Sequence, residues 1–478
     1  MEYEVVIGLE THVQLKTRSK MWCGCANHFG SPPNTNVCPV CLGLPGVLPV
    51  ANEEALRLTT LTGYLLNCAI PPYAKFDRKN YFYPDMPKNY QITQYDKPST
   101  ANGYVDFEFE GSLSRVRITR AHLEEDVGKN IHFDRNSGVD FNRAGVPLME
   151  IVSEPDISSA DMAYEYLNAL KDILVYGSIS DCDMEKGMVR CDVNVSVRPR
   201  GQKELGAKIE IKNMNSFSGV RKALEYEIPR QIEVVKQGGK LIQSTRRWDD
   251  ATASTEEMRT KEHAHDYRYF PEPDLMPFQP TEAWLEEVSK RVVELPLARK
   301  QRFMRDYQLP APDAQTFVWD VPLGDFFESA VKAAKAPGLN TKSAANWIIN
   351  NLRAKLTESQ TALADLKFKP AAILELIELV DSGKISNKIA QDVFAEMFVS
   401  GEGPSKIVEK KGLAQVSDTG AIEKYCDDAI AANPGPAADF KAGKVAALNF
   451  LKGQVMKLSK GKANPALVGE ILEKKLKA

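Results

Sequence analysis

Apolar and polar residues alternate most clearly at the start of the chain. Val5, Ile7, Leu9, Val13 and Leu15 share one parity, interrupted by Thr11. Glu4, Gly8, Glu10, His12 and Gln14 take the other, with Val6 the exception. Successive side chains of a strand point to opposite faces, so this pattern predicts a strand with an apolar face toward a core and Glu10 and His12 together on its polar face. Similar runs at Tyr104–Phe109, Arg115–Thr119, Val189–Val197 and Lys208–Ile211, broken by Pro, Gly and Asn, predict a strand-rich domain over residues 1–295. After the Pro-rich stretch Pro271–Pro280 the texture changes. Helical spacing at Trp284–Val293, Asn346–Leu352 and Ala372–Leu379 predicts a helical domain over 296–405. The Gly-Pro break at Gly401–Pro404 then opens a small helical domain at 406–478, whose Gly443–Lys457 stretch is followed by a Gly and Asn-Pro boundary. The expected fold class is α+β.

Composition adds bounds. A chain of 478 residues, 43% hydrophobic and 26% charged, reads as an ordinary globular protein of about three domains. No run approaches the ~20 apolar residues of a membrane-spanning helix, and Met1–Ile7 carries no signal-peptide pattern, so a cytoplasmic location and no membrane partner are expected. Residues 441–478 hold nine Lys against Glu470 and Glu473, a balance of +7, which leaves −10 for the rest of a chain of formal charge −3. A basic end on a mildly acidic body suits contact with an anionic polymer. On charge alone, a solvated Lys-rich helix face is the simpler reading.

Four of the eight cysteines fall in one short segment, as Cys23-x-Cys25 and Cys38-x2-Cys41 around a turn-rich loop. Two close thiolate pairs can close a tetrahedron around zinc, and four thiolates leave no open position, so a structural Zn²⁺ is expected; four unliganded thiols are the alternative. A second constellation is oxygen-rich: Glu10 and His12, the run His122-Leu123-Glu124-Glu125-Asp126, and Glu150 within Pro147–Glu154. Carboxylates in apolar strand sequence are costly to bury unless they pair or bind a cation, and a hard ion such as Mg²⁺ takes such ligands. On these residues alone, pairing with Arg or Lys, or simple exposure, is the stronger reading. Lys75–Gln91 and Asp266–Asp274 interleave basic and aromatic residues, a mixture that serves phosphate contact and base stacking or ordinary loop packing. No Gly-Lys pair is followed by the Ser or Thr of a P-loop, and Rossmann and nucleophile-elbow motifs are missing. Any use of ATP would therefore rest on carboxylates and basic side chains of a sheet.

These segments together resemble the GatB family of bacterial tRNA-dependent amidotransferases along essentially the whole chain. The resemblance is carried by Val6-Ile7-Gly8-Leu9-Glu10-x-His12-Val13, Lys75–Gln91, Ile118-Thr119-Arg120 with Glu124-Glu125-Asp126, and Asn142–Asp156. Arg190-Cys191-Asp192-x-Asn194, Lys212-Asn213-x-Asn215-Ser216, Asp266–Asp274 and Gly453-Gln454-x-Met456-Lys457 with Asn464-Pro465 extend it. It implies a cradle domain of the glutamine synthetase/guanido kinase kind, with a zinc-binding insertion near 23–41. It further implies that the side-chain carboxylate of misacylated Glu-tRNA(Gln) or Asp-tRNA(Asn) is activated as an acyl phosphate with ATP and Mg²⁺. Ammonia from a partner amidase then displaces the phosphate, within a heterotrimer completed by a small third protein.

By the same resemblance the metal role falls on His12, Glu125 and Glu150, with Glu10 and Glu124 as neighbours. Glu124 and Glu125 point to opposite faces of a regular strand, and sequence leaves open which is the ligand. Lys79, Arg190 and Lys212 are the candidates for phosphate contact. Lys452, Lys457, Lys460, Lys462 and Asn464 are the candidates for tRNA contact at the basic end. A zinc-containing tRNA-binding scaffold without catalysis is the rival reading, and a free-standing amide ligase acting on a small molecule is a third.

Overall fold

In the computed structural model of the protein, the described residues are 2–260, 266–333, 341–414, 419–459, 463 and 465–477. They form two compact units, Met1–Ala298 and Arg299–Ala478. A mixed sheet-rich first unit and a helical second unit give the α+β layout that the sequence predicts.

The first unit is built on an eleven-stranded sheet. Its strands are β1 (Tyr3–Gln14), β2 (Asp77–Asn80), β3 (Tyr90–Thr93), β4 (Gly103–Phe109) and β5 (Ser112–Glu125), and, after a separate hairpin of β6 (Lys129–His132) and β7 (Ser137–Asp140), β8 (Pro147–Ser153). It continues with β9 (Val189–Pro199), β10 (Ile209–Met214), β11 (Ser244–Asp249), β12 (Ser254–Thr260) and β13 (Phe270–Pro271). The order across the sheet is β12-β11-β10-β9-β1-β8-β5-β3-β2-β13, with β4 paired to β5. β1 therefore lies near the centre, antiparallel to both β8 and β9.

The alternation of β1 is realised as expected. Ile7, Leu9, Thr11, Val13 and Leu15 are all buried, so even the polar interruption sits on the core face. Met149 and Ile151 of β8, Ala121 and Leu123 of β5, and Cys191, Val193 and Val195 of β9 continue that face. It is covered by α1 (Glu53–Leu65), α2 (Ala160–Tyr176) and α3 (Phe217–Lys236), capped by Asn52, Ser159 and Ser216, whose side chains accept from backbone N–H groups of the first turn. The strand texture of residues 1–295 gave no sign of these three helices. Each buries one stripe, such as Tyr166, Leu167, Leu170 and Leu174 of α2, in the common core.

The second unit holds two hydrophobic clusters. Phe303, Phe317, Phe327, Ile348, Ile377 and Phe394 centre the first, which extends to Ile407 and Val408, beyond the limit at 405 expected from the Gly-Pro break. The second is formed by the helices Thr419–Ala432, Ala446–Leu458 and Pro465–Lys477, through Ile422, Leu451, Val455, Val468 and Leu472. The helical spacing at Asn346–Leu352 resolves into a short α-helix, Thr341–Asn346, continued by a π-helical turn, Trp347–Leu352. Among the described residues no helix is long and apolar enough to cross a membrane.

Candidate functional site

The register of the central strands decides which polar groups meet. His12 lies opposite both Arg190 of β9 and Glu150 of β8, Glu150 lies opposite His122 of β5, and Glu10 lies opposite Asp192. The face away from the helices thus carries Glu10, His12, His122, Glu124, Glu150, Arg190, Asp192, Glu210 and Lys212 on adjacent strands. Ligand atoms of His12, Glu124 and Glu150 all lie within 4.8 Å of one another. His12 Nε2 stands 3.6 Å from Glu124 Oε1 and 3.9 Å from Glu150 Oε2, too far for hydrogen bonds. Two ligands of one Mg²⁺ at about 2.1 Å each are at most ~4.2 Å apart, so these separations fit a small divalent ion.

The register from Ala121 to Glu125 runs against β8 without a bulge, so Glu124 and Glu125 point to opposite faces. Glu124 joins the cluster. Glu125, expected from the resemblance as a metal ligand, does not: it pairs with Lys88 at 2.5 Å and accepts from Ile92 N at 2.9 Å on the other side of the strand. The metal role placed on Glu125 is corrected accordingly.

Burial and mutual charge shift every group of the cluster. Burial, reinforced by the charge of Glu150, pushes the Glu124 carboxyl up to about 8. Burial also opposes ionisation of Glu150, yet the hydrogen bond from His122, 3.2 Å away, and the two imidazoles hold it well below the usual carboxylate range. Burial lowers His12 and raises Glu10, the latter with help from Glu150. Glu10 accepts from Asn194 Nδ2 at 2.8 Å and forms with Asp192 and Glu210 a second acidic group, into which Lys212 inserts its ammonium, 3.2 Å from Glu210.

An open cleft of about 600 Å³ lies over this face, lined by His12, Lys79, Tyr81, Glu124, Asp126, Arg190, Asp192, Lys212 and Arg247, among others. Arg190 and Lys212 each keep 38% of their side-chain surface exposed while paired with Asp126 and Asp192. Asp126 is buried beneath Arg190 (3.0 Å), Gln14 Nε2 (3.0 Å) and Arg143 (3.6 Å). The two basic-aromatic segments, about 190 residues apart in sequence, meet along one edge. β2 pairs with β13, Asn80 N donates to Tyr267 O, and Lys79 Nζ lies 5.0 Å from the Tyr267 ring centre beside Tyr81. Arg78 faces away from the cleft chemistry, clamped on Glu272 by two hydrogen bonds and stacked over Tyr90.

The four clustered cysteines also converge, with all four sulfurs within 4.8 Å of one another. Cys38 N donates to Cys41 Sγ at 3.1 Å, and Gly43, at φ +66°, leaves room that a Cβ would close against Lys88 Cα, 3.1 Å away. All eight cysteines are free. Bonds from Cys23 and the Cys38 backbone, with the Lys20 charge, pull the Cys41 thiol down to about 4, against its burial.

The sequence places His122 and Asp126 in the oxygen-rich run without a role of their own, and marks out neither Asp192 nor Glu210 as a site residue. Their shared parity with Glu124, Arg190 and Lys212 was the available signal; which strands lie side by side was not. At the basic end, Lys452 and Lys457 lie on the helix Ala446–Leu458, with Lys457 exposed and Lys452 half-buried. Lys460, Lys462 and Asn464 lie outside the described residues.

Comparison with known proteins gives the family. Residues 5–286, which contain every residue of the cleft, match the family described as GatB/GatE catalytic domain, and residues 325–476 match the GatB domain. Proteins named as the B subunit of aspartyl/glutamyl-tRNA(Asn/Gln) amidotransferase are similar over the full chain. The one from Carboxydothermus hydrogenoformans is 52% identical with 99% of each chain covered, and that from Persephonella marina is 50% identical with 100% of each covered. That from Brevibacillus brevis is 51% identical, again over 99% of both. The chain belongs to the GatB/GatE family.

Proposed function

We propose that this chain carries the ATP-dependent step of tRNA transamidation in the cytoplasm, as the GatB member of a heterotrimer whose other members are an amidase and a small third protein. The observation that carries this reading is the convergence of His12, Glu124 and Glu150 under a cleft bordered by Lys79, Arg190, Lys212 and Arg247. The sheet then serves as a cradle of the glutamine synthetase/guanido kinase kind. The side-chain carboxylate of Glu-tRNA(Gln) or Asp-tRNA(Asn) attacks the γ-phosphorus of ATP, giving an acyl phosphate and ADP. Ammonia attacks the acyl carbon, phosphate leaves, and Gln-tRNA(Gln) or Asn-tRNA(Asn) results.

The donor set of one imidazole and two carboxylates suits Mg²⁺, which when bound supplies positive charge against the phosphate oxygens. Arg190 and Lys212 reach the phosphates with their exposed faces while Asp126 and Asp192 fix their positions. Lys79 contributes from the opposite rim. The chain shows no nucleophile motif for glutamine hydrolysis, so ammonia comes from the amidase. Cys23, Cys25, Cys38 and Cys41 hold a structural Zn²⁺, since four sulfurs leave no site for a substrate. Lys452 and Lys457 serve salt-dependent contacts to the tRNA backbone.

Burial and the Glu150 charge raise the Glu124 carboxyl to about 8, so an ion held by His12, Glu124 and Glu150 would have to displace a proton at neutral pH. Affinity for Mg²⁺ rises about tenfold per pH unit below pH 8 and levels above it. Calorimetric titration with MgCl₂ in two buffers of different ionisation enthalpy, at pH 6 to 9, measures the released proton. A pH-independent affinity contradicts the assignment of Glu124.

The reading as a whole is tested by γ-phosphate transfer from ATP to Glu-tRNA(Gln), with the chain reconstituted with its amidase partner. A labile acyl phosphate that ammonia converts to Gln-tRNA is the expected product. ATP left intact despite tRNA binding would return the chain to a scaffold role.

A further inference from the structure

Lys20 exposes 1% of its surface. An ammonium taken out of water needs a counter-charge, or it gives up its proton. Its Nζ donates to two backbone carbonyls, Asn36 O at 3.0 Å and Phe141 O at 3.5 Å, and to Cys41 Sγ at 3.6 Å. Among the described residues it makes no ion pair with a carboxylate. Glu125, which lines the same small cavity as Cys41, is engaged by Lys88. The negative charge that answers Lys20 is therefore that of the cysteine cluster.

We propose that Lys20 is the fixed counter-charge of the Cys23–Cys25–Cys38–Cys41 metal centre, a positioning residue that holds the four sulfurs as thiolates around a divalent ion. The proposal rests on the zinc reading above. Four thiolates around Zn²⁺ carry a net charge of −2, which the N–H of Cys38 and the ammonium of Lys20 both offset. The residue also spans the two cysteine pairs: its backbone N–H donates to Cys25 O at 2.9 Å, while its side chain reaches Cys41. Neutral thiols would leave the ammonium with two carbonyl acceptors and no counter-charge. A disulfide would supply no counter-charge either. A Met at this position matches the length of Lys and removes only the charge and its hydrogen bonds.

The test uses the full-length chain purified with zinc. Elemental analysis of the wild type comes first, and less than about one zinc per chain would remove the zinc reading itself. With zinc present, Lys20→Met transfers it to a chromogenic chelator at least about tenfold faster than wild type, within the 10–100-fold range typical of groups bonded to metal ligands. Lys20→Arg, which keeps the charge, restores most of the difference. Co²⁺-substituted wild type and Lys20→Met share the thiolate-to-cobalt charge-transfer band, but the variant needs more cobalt to develop it. A wild type that holds zinc and a Lys20→Met that releases it at the wild-type rate would overturn the role of Lys20 alone. Should Lys20→Met not fold, Lys20→Gln is compared with Lys20→Arg, and equal release from those two would overturn it as firmly.

Discussion

Glu150→Gln abolishes ATP-dependent activation of the aminoacyl-tRNA, lowering kcat by a factor on the order of 10³, while tRNA affinity stays near the wild-type value. The magnitude follows from what the residue does: loss of one preorganised charge-stabilising group in a phosphoryl or acyl transfer site costs about 10²–10³. Glu150 also faces two imidazoles, with His122 within hydrogen-bond reach at 3.2 Å and His12 at 3.9 Å. The Gln side chain has the same size and still accepts from His122, so the fold survives. A charge that holds the cluster together does not. Rapid-quench measurement of the acyl phosphate beside filter binding of the same misacylated tRNA separates the two properties. Phosphorylation at the wild-type rate would remove Glu150 from the mechanism and favour the scaffold reading.

Local signals in the chain reach some of this site and stop at others for identifiable reasons. The alternation of β1 places Glu10 and His12 on one polar face because strand parity is a local property. The paired cysteines are legible for the same reason, since the spacing within each pair alone brings two sulfurs together. Glu150 stands out from its apolar surroundings. Its meeting with His12 and His122 depends on β8 lying between β1 and β5, and β1 and β8 are segments more than 100 residues apart whose pairing no local pattern encodes. The choice between Glu124 and Glu125 turns on the presence or absence of one bulge, which register alone reveals. The helices α1, α2 and α3 are easily overlooked because the strand signal dominates the first unit. Their own markers, the Asn and Ser caps followed by apolar stripes, are present at Asn52, Ser159 and Ser216.

Asp126 shows how a buried acid can fix a basic group at the edge of the cleft. Its carboxylate is 1% exposed and accepts from Arg190, Gln14 and the N–H of Val127, with Arg143 at 3.6 Å. Burial opposes its ionisation, but the Arg190 and Arg143 charges win and hold it below its ordinary pKa. Asp126→Asn leaves two guanidinium groups facing a neutral amide. Both arginines keep a third or more of their side chains in water, so the loss is smaller than for a fully buried pair, on the order of 1–3 kcal/mol. Because the folded-state pKa is depressed, the contribution of Asp126 is fully present above its unfolded value of about 3.9 and is lost as pH falls through the folded value. The gap between wild type and variant therefore keeps its full size from neutral pH down to about pH 4 and closes only below it. Hydrogen exchange of peptides from β1 and β8, followed from pH 7 through about pH 4 and on to about pH 2 with intrinsic rates corrected, measures it. The same substitution frees Arg190 to leave the cleft, so KM for ATP rises while the aminoacyl-tRNA still binds. A variant as protected as wild type at pH 7, or a gap that widens in acid, would show that Arg190 is held by something other than Asp126.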